Sequence, residues 1–265
     1  MSDSMVAKSI QLPCGLGPDK DGKVHRDAEI IPMTGLVRKN IARPEVRQNV
    51  AKIVDVILLA CLKKVGPLDR IDRRVLDKLL VGDRDFLLLE IRKLSLGDSV
   101  RSTIQCGSCN EKSDITFHLD RLPCRTLADK GEGIEEQNGE RLFVMDWMSA
   151  DEKHSIKAKF RFPNGADQMV MAGNMHKNPV EAVYQMYYRC LVEWDGKPVE
   201  KVPATLFDDL ALPVVDAVDA EFRKRMPGPD LDQKAVCSLC GAENDLDLRA
   251  SDFLFPQARG RMSSA

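Results

Sequence analysis

Neither sign of charge dominates this chain of 265 residues: 39 Lys and Arg stand against 41 Asp and Glu, giving a net charge of -2 and a pI near 6.1. A polyanion finds no general attraction in such a balance, so nucleic acid is not favoured as a partner. Long apolar runs are also missing. No segment approaches the ~20 apolar residues of a membrane helix, and the start, MSDSMVAKSIQLPCG, lacks the basic head and apolar stretch of a signal peptide. A cytoplasmic protein that spans no membrane is expected. Eight cysteines are too few for a disulfide scaffold at this length, and a chain this long buries a core without staples. Catalytic patterns are lacking as well. Cys14-Gly15-Leu16-Gly17 completes neither a dinucleotide fingerprint nor a phosphate loop. Gly82-Asp83-Arg84-Asp85 reads as a helix start, with Asp83 as the cap and Arg84 and Asp85 in an exposed first turn. No enzymatic activity and no small-molecule substrate are expected.

What the chain does contain is a sequence of well-marked elements. Ala7 to Leu12 and Val24 to Ile31 flank a Gly, Pro and Asp-rich stretch, the pattern of a β-hairpin. From Pro44 apolar residues recur every three or four positions (Val46, Val50, Ile53, Val54, Ile57, Cys61, Leu62, Val65) until Gly66-Pro67, which predicts one amphipathic helix. Further helices are predicted from about Ile71 to Leu80 and from Asp83 to a stop at Gly97. The period then switches to two, with Ile104 and Cys106 on one face and Ile115, Phe117 and Leu119 beyond a turn. Residues 126–141 are acidic and glycine-rich and read as a mobile loop or linker. LFVMDWM and Lys157 to Phe162 read as strands, the latter ending in a Pro163-Asn164-Gly165 turn. Asn178-Pro179 opens a helix on which Tyr184 and Tyr187 pack inward, and a last helix is expected from about Thr205 to Arg225.

The sharpest signal is the pair QCGSCNE and VCSLCGA. A Cys-x-x-Cys turn aims two thiolates at one point, and two such turns complete the tetrahedral shell of a structural zinc. Cys106, Cys109, Cys237 and Cys240 are therefore the candidate ligands. Each knuckle lies between β-like runs, with Asn110 or Gly241 following its second cysteine, as in a zinc ribbon. A thioredoxin-type redox pair instead opens a helix. The 127 residues between Cys109 and Cys237 exceed a usual ribbon loop, yet closure cost grows only logarithmically with length. Cys61 and Cys190 fall on apolar helix faces, Cys14 and Cys124 stand alone beside turns, and His118 reads as a solvated histidine. The expected fold is α+β, in three parts. Residues 1–98 form a hairpin and helical core, 99–124 and 232–256 a zinc-ribbon-like element, and 125–231 an inserted α/β region. The metal is expected to act as the clasp that closes this insertion, so that losing it loosens the whole of 125–231.

The order of these motifs carries a resemblance. The run MTGLVRKNIARPEVRQNVAKIVDVILLACLKKVG, then LLVGDRDFLLLEIRKLSLGDSVRSTIQCGSCNEKSDITFHLDRLP, resembles the baseplate assembly family of T-even-like phages, also found with contractile tail-like injection systems. FRFPNGADQMVMAG, the helix ending in Tyr188-Arg189-Cys190, and the second knuckle extend the likeness over most of the chain. The acidic loop and the short tail after Phe255 depart from it. The resemblance implies a non-enzymatic role in assembling, or forming part of, a baseplate hub, with baseplate or hub proteins as partners. It implies action in the host cytoplasm, the protein then either staying in the particle or leaving it. A zinc-ribbon nucleic-acid-binding regulator is the competing reading, against which the mixed charges around the knuckles count.

Overall fold

The computed structural model describes residues 6–127, 133–137 and 139–247. Strands β1 (Lys8–Leu16) and β2 (His25–Ile30) form the expected antiparallel hairpin, in register from Lys8 opposite Ile30 to Gln11 opposite Asp27. Helix α1 (Gly35–Ile41), which the sequence pattern did not announce, packs Val37 and Ile41 inward. The single helix expected from Pro44 to Val65 is three elements: α2 (Pro44–Arg47), α3 (Val50–Cys61) and strand β3 (Leu62–Val65). Asn49 restarts the helix by accepting the Lys52 amide. Strand β3 pairs with β2 to make the sheet order β1-β2-β3. A register shift there sets Leu62 opposite Ile30 but Lys64 opposite Glu29. The bulge lets Leu62 and Val65, three apart, share the buried face, a spacing that reads as helical in sequence.

Helices α4 (Arg73–Lys78, capped by Asp72) and α5 (Val81–Leu96) complete this half, around fully buried Ile57, Leu58, Leu76, Leu87 and Ile91. Asp83 is not the cap that the pattern suggested. Its two carboxylate oxygens instead accept the amides of Cys14 and Gly15, at 2.8 and 2.9 Å, tying α5 to β1. Nor is Arg84 exposed. It has no solvent-accessible surface and bonds Asp55 on α3 (2.6 Å) and the Leu76 carbonyl on α4 (3.0 Å). Asp85 is half-buried beside it, and burial lifts its carboxyl to about 7. Helix α5 starts two residues earlier than expected, so Asp83 and Arg84 fall on its inner side, where backbone amides and the Asp55 carboxylate sustain their charges.

Strands β4 (Ser99–Gln105) and β5 (Lys112–His118) make the first knuckle hairpin, and β6 (Cys124–Arg125) follows. The chain then enters a separate antiparallel sheet. Its strands are β7 (Ile134–Gln137), β8 (Glu140–Met148), β9 (Ser155–Arg161), β10 (Leu191–Trp194) and β11 (Lys197–Pro198), in the order β11-β10-β9-β8-β7. Part of the stretch read as a loop is thus strand β7; residues 128–132 and 138 lie outside the described residues. Between β9 and β10 run α6 (Gly165–Asn174) and α7 (Pro179–Cys190). Helix α6 is a second addition to the sequence reading. A capping box between Asn164 and Asp167 starts it, and Asp167, fully buried, also holds Arg161 and Arg189. The helix expected from Thr205 to Arg225 breaks into α8 (Leu206–Asp209) and α9 (Leu212–Arg225), because Pro213 suits the first turn of a new helix. Phe143, Phe160, Phe162, Tyr187, Phe207 and Phe222 stack in the core beneath this sheet, as the inward packing of Tyr187 required.

Short strand β12 (Gly228–Pro229) leads back to the second knuckle hairpin, β13 (Asp232–Val236) and β14 (Glu243–Asp247). Strand β12 pairs with β6, Pro229 opposite Cys124, so the insertion leaves and re-enters the fold side by side. Its body is also docked on the helical half. Arg84 reaches Gln168 of α6 at 2.8 Å, Val81 and Pro163 share a backbone bond of 2.9 Å, and Gly82 abuts the Pro227-Gly228 backbone. The expectation that losing the metal clasp loosens the whole of 125–231 is therefore corrected: β6, β12 and the Gly82-Asp83-Arg84 junction also hold the insertion in place.

Candidate metal centre

Two hairpin tips build the site. In the first knuckle the Cys106 amide donates to the Glu111 carbonyl and the Asn110 amide to the Cys106 carbonyl, both at 2.9 Å. The second repeats this with Cys237 to Ala242 and Gly241 to Cys237, at 2.9 and 3.0 Å. Asn110 (φ 58°) and Gly241 (φ 75°) occupy the left-handed region that turns the chain out of each knuckle. Asn and Gly are the residues that tolerate it, which is why this position was readable in sequence.

The knuckles meet so that each cysteine of one approaches a cysteine of the other. Cys106 Sγ lies 3.6 Å from Cys240 Sγ, Cys109 Sγ lies 3.9 Å from Cys237 Sγ, and all four sulfurs fall within 4.8 Å of one another. A tetrahedron of sulfurs ~2.3 Å from a zinc ion has edges of ~3.8 Å, so the donor set fits that ion. Disulfides, at ~2.05 Å, do not fit those spacings. Among the described residues this is the one such cluster, and Cys106 and Cys237 within it are buried. The amides of Cys109 and Ser108 hold the Cys106 thiol down to about 6, and those of Cys240 and Leu239 lower Cys237. For Cys109 the Glu111 amide favours the thiolate, but burial and three close sulfurs outweigh it and push the thiol up to about 12. Such crowding of incipient thiolates is relieved by a cation.

Two residues of the site escaped the sequence reading. Ser113 Oγ accepts the amide of Ser238 at 2.9 Å, and Asn244 Oδ1 accepts the amide of Gly107 at the same distance. The signal was there: each stands four residues past the second cysteine of its knuckle. Ile104 and Ile115 of the first hairpin and Ala235 of the second form a small apolar cluster of their own. The remaining cysteines stay out of the cluster. Cys61 and Cys190 are buried, which raises their thiols to about 11 and 12, and Cys124 is exposed. His118 sits half-exposed, 2.8 Å from Asp98.

Fold and site together define a mixed helix-and-sheet protein in which distant hairpins gather four thiols at one metal-sized point. The family described as T4 bacteriophage base plate protein matches residues 40–255, and the chain belongs to that family. No curated protein and no solved structure matches it. Among the described residues no helix is long and apolar enough to cross a membrane.

Proposed function

We propose that this chain is a zinc-stabilised, non-enzymatic assembly factor or minor structural protein of the baseplate hub of a contractile phage tail or tail-like injection system. The observation that carries this reading is the family match over residues 40–255. It acts through protein surfaces, in the host cytoplasm where tails assemble, and its partners are baseplate proteins. Cys106, Cys109, Cys237 and Cys240 hold the ion. Zinc supplies a four-way cross-link there, and a shell filled by four thiolates leaves no position for a substrate.

Deletion of the gene tests the role. Lysates of the deletion strain should contain few complete tails by electron microscopy, and a plasmid copy should restore them; normal numbers of complete tails in the deletion strain overturn the proposal. Elemental analysis of the purified chain tests the metal, with about one zinc per chain expected for a single four-thiolate site.

A further inference from the structure

We infer that Ser113 and Asn244 are reciprocal positioning residues for the metal, each anchored in one knuckle hairpin and holding the turn of the other, so that four sulfurs are gathered before an ion arrives. The inference rests on the zinc reading above. Within a knuckle some amides point at sulfur, as Ser108 does toward Cys106 Sγ at 3.4 Å. The amides of Gly107 and Ser238, one residue after the first cysteine of each knuckle, are instead taken by Asn244 and Ser113 across the junction. The arrangement repeats under an approximate two-fold. Ser113 pairs with Ile104 across its hairpin and Asn244 with Ala235, two residues before Cys106 and Cys237 respectively. Ser113 and Asn244 thus stand at equivalent positions, and each accepts the equivalent amide of the opposite knuckle.

The two are not equal in chemistry. Ser113 is 1% exposed and its hydroxyl is also 3.0 Å from Ser238 Oγ, so it acts on the turn alone. Asn244 Nδ2 donates to the Ala242 carbonyl at 3.1 Å and approaches Cys106 Sγ at 3.6 Å. Its amide therefore also stabilises negative charge on a ligand. Groups one layer out from a metal fix ligand orientation, and their removal typically costs 10–100-fold in metal affinity.

The test uses the full chain, with zinc affinity measured by competition against a chromophoric chelator and ligation read from the thiolate-to-metal absorption of the cobalt(II) form. Asn244→Ala and Ser113→Ala should each hold zinc roughly 10–100-fold more weakly than wild type, while Lys234→Ala, which removes only an exposed ion pair with Glu243 on the same hairpin, leaves affinity unchanged. Ser113→Thr, which keeps the hydroxyl, should retain more affinity than Ser113→Ala. At saturating cobalt the absorption should shift in Asn244→Ala and not in Ser113→Ala, since only Asn244 touches a sulfur. Alanine variants that hold zinc as tightly as wild type overturn the inference. A wild-type chain that binds neither zinc nor cobalt overturns the metal reading, and this inference with it. Far-ultraviolet circular dichroism of each metal-free variant checks that the helical half is intact; a variant that has lost those helices is replaced by Asn244→Leu or Ser113→Val, judged by the same affinity criterion.

Discussion

Replacing Gly82 by alanine separates the two things a glycine in a helix can mean. Gly82 lies in the first turn of α5, where alanine is the better helix former by up to ~1 kcal/mol. A Cβ built there, however, meets the Pro227 carbonyl oxygen at 2.1 Å, its carbon at 2.6 Å and the Gly228 nitrogen at 3.1 Å. The carbon contact is roughly 1 Å short of the ~3.5 Å at which carbon atoms rest. The obstacle is backbone, so no side-chain rotation relieves it. The two backbones are packed close on both sides, since a Cβ built on Gly228 (φ +107°) would in turn meet Gly82 Cα at 2.6 Å. Overpacking costs ~1–3 kcal/mol, and a rigid backbone wall places this site at the upper end, leaving a net loss of about 2 kcal/mol. For a chain of this size that lowers the melting temperature by about 4–8 °C. Gly173 in α6 is the internal control, since a Cβ there meets nothing within 4 Å. Gly173→Ala should raise stability by ~0.5–1 kcal/mol. Thermal unfolding followed by circular dichroism at 222 nm reads both variants in one experiment. If Gly82→Ala melts at or above the wild-type temperature, the α5–β12 contact does not hold the insertion as argued.

The buried Arg84 gives a second expectation: Arg84→Met leaves Asp55 only its longer ion pair with the exposed Arg73, at 3.7 Å, and should cost up to ~3–5 kcal/mol, while adding Asp55→Leu should recover part of it, as urea titration of single and double variants will show. Asp83 supplies a pH dependence. Burial raises its folded pKa to about 6 against ~3.9 unfolded, so the native state binds the extra proton between those values, and this group's contribution to stability falls as pH rises from about 4 to 7. Relative to Asp83→Asn, wild type should lose up to about 3 kcal/mol between pH 4 and pH 7.5 in urea unfolding, and parallel profiles refute this. Cys237→Ser or chelation should leave region 139–226 resistant to trypsin and expose only the two knuckle hairpins, and early cleavage within α6 or α7 is the contrary result. Asn164→Ala breaks the capping box of α6 and should cost ~0.5–2 kcal/mol, read by the same thermal assay.

Features whose chemistry is local were legible in the sequence. The two knuckles, the Asn178-Pro179 helix start and the first hairpin each depend on neighbours a few residues away, and each stands where its pattern puts it. The failures share a cause, which is that tertiary partners gave a familiar pattern another meaning. Asp83 at a helix start looks like a cap until Cys14 and Gly15 arrive from β1 to use its oxygens. Arg84 looks solvated until Asp55 and Gln168, 29 and 84 residues distant, close around it. Leu62 and Val65 match a helical period, but the free edge of β2 captures them and a bulge reconciles the spacing. Helix α6 did carry a local signal, Asn164 followed three residues later by Asp167; Pro163 and Gly165 made the same stretch read as a turn.

The long gap between the knuckles, which looked like the weak point of a four-cysteine site, becomes its support once the fold is known. Strands β6 and β12 pair Cys124 with Pro229, so the insertion is already closed where it meets the ribbon. The stretches left for a metal bound at the four cysteines to close are 14 residues between Cys109 and Cys124 and seven between Pro229 and Cys237, in place of 127. On the logarithmic scaling of loop entropy that difference lowers the closure cost by about 1.6 kcal/mol. Arg125 adds to the same gate, bonding Asp230 at 2.8 Å, while the Asp230 amide donates to the Pro123 carbonyl at 2.7 Å. The insertion and the knuckle hairpins therefore stabilise each other in sequence: the docked body presents two short arms at a fixed separation, the arms present two knuckles, and Ser113 and Asn244 join the knuckles so that their four sulfurs converge.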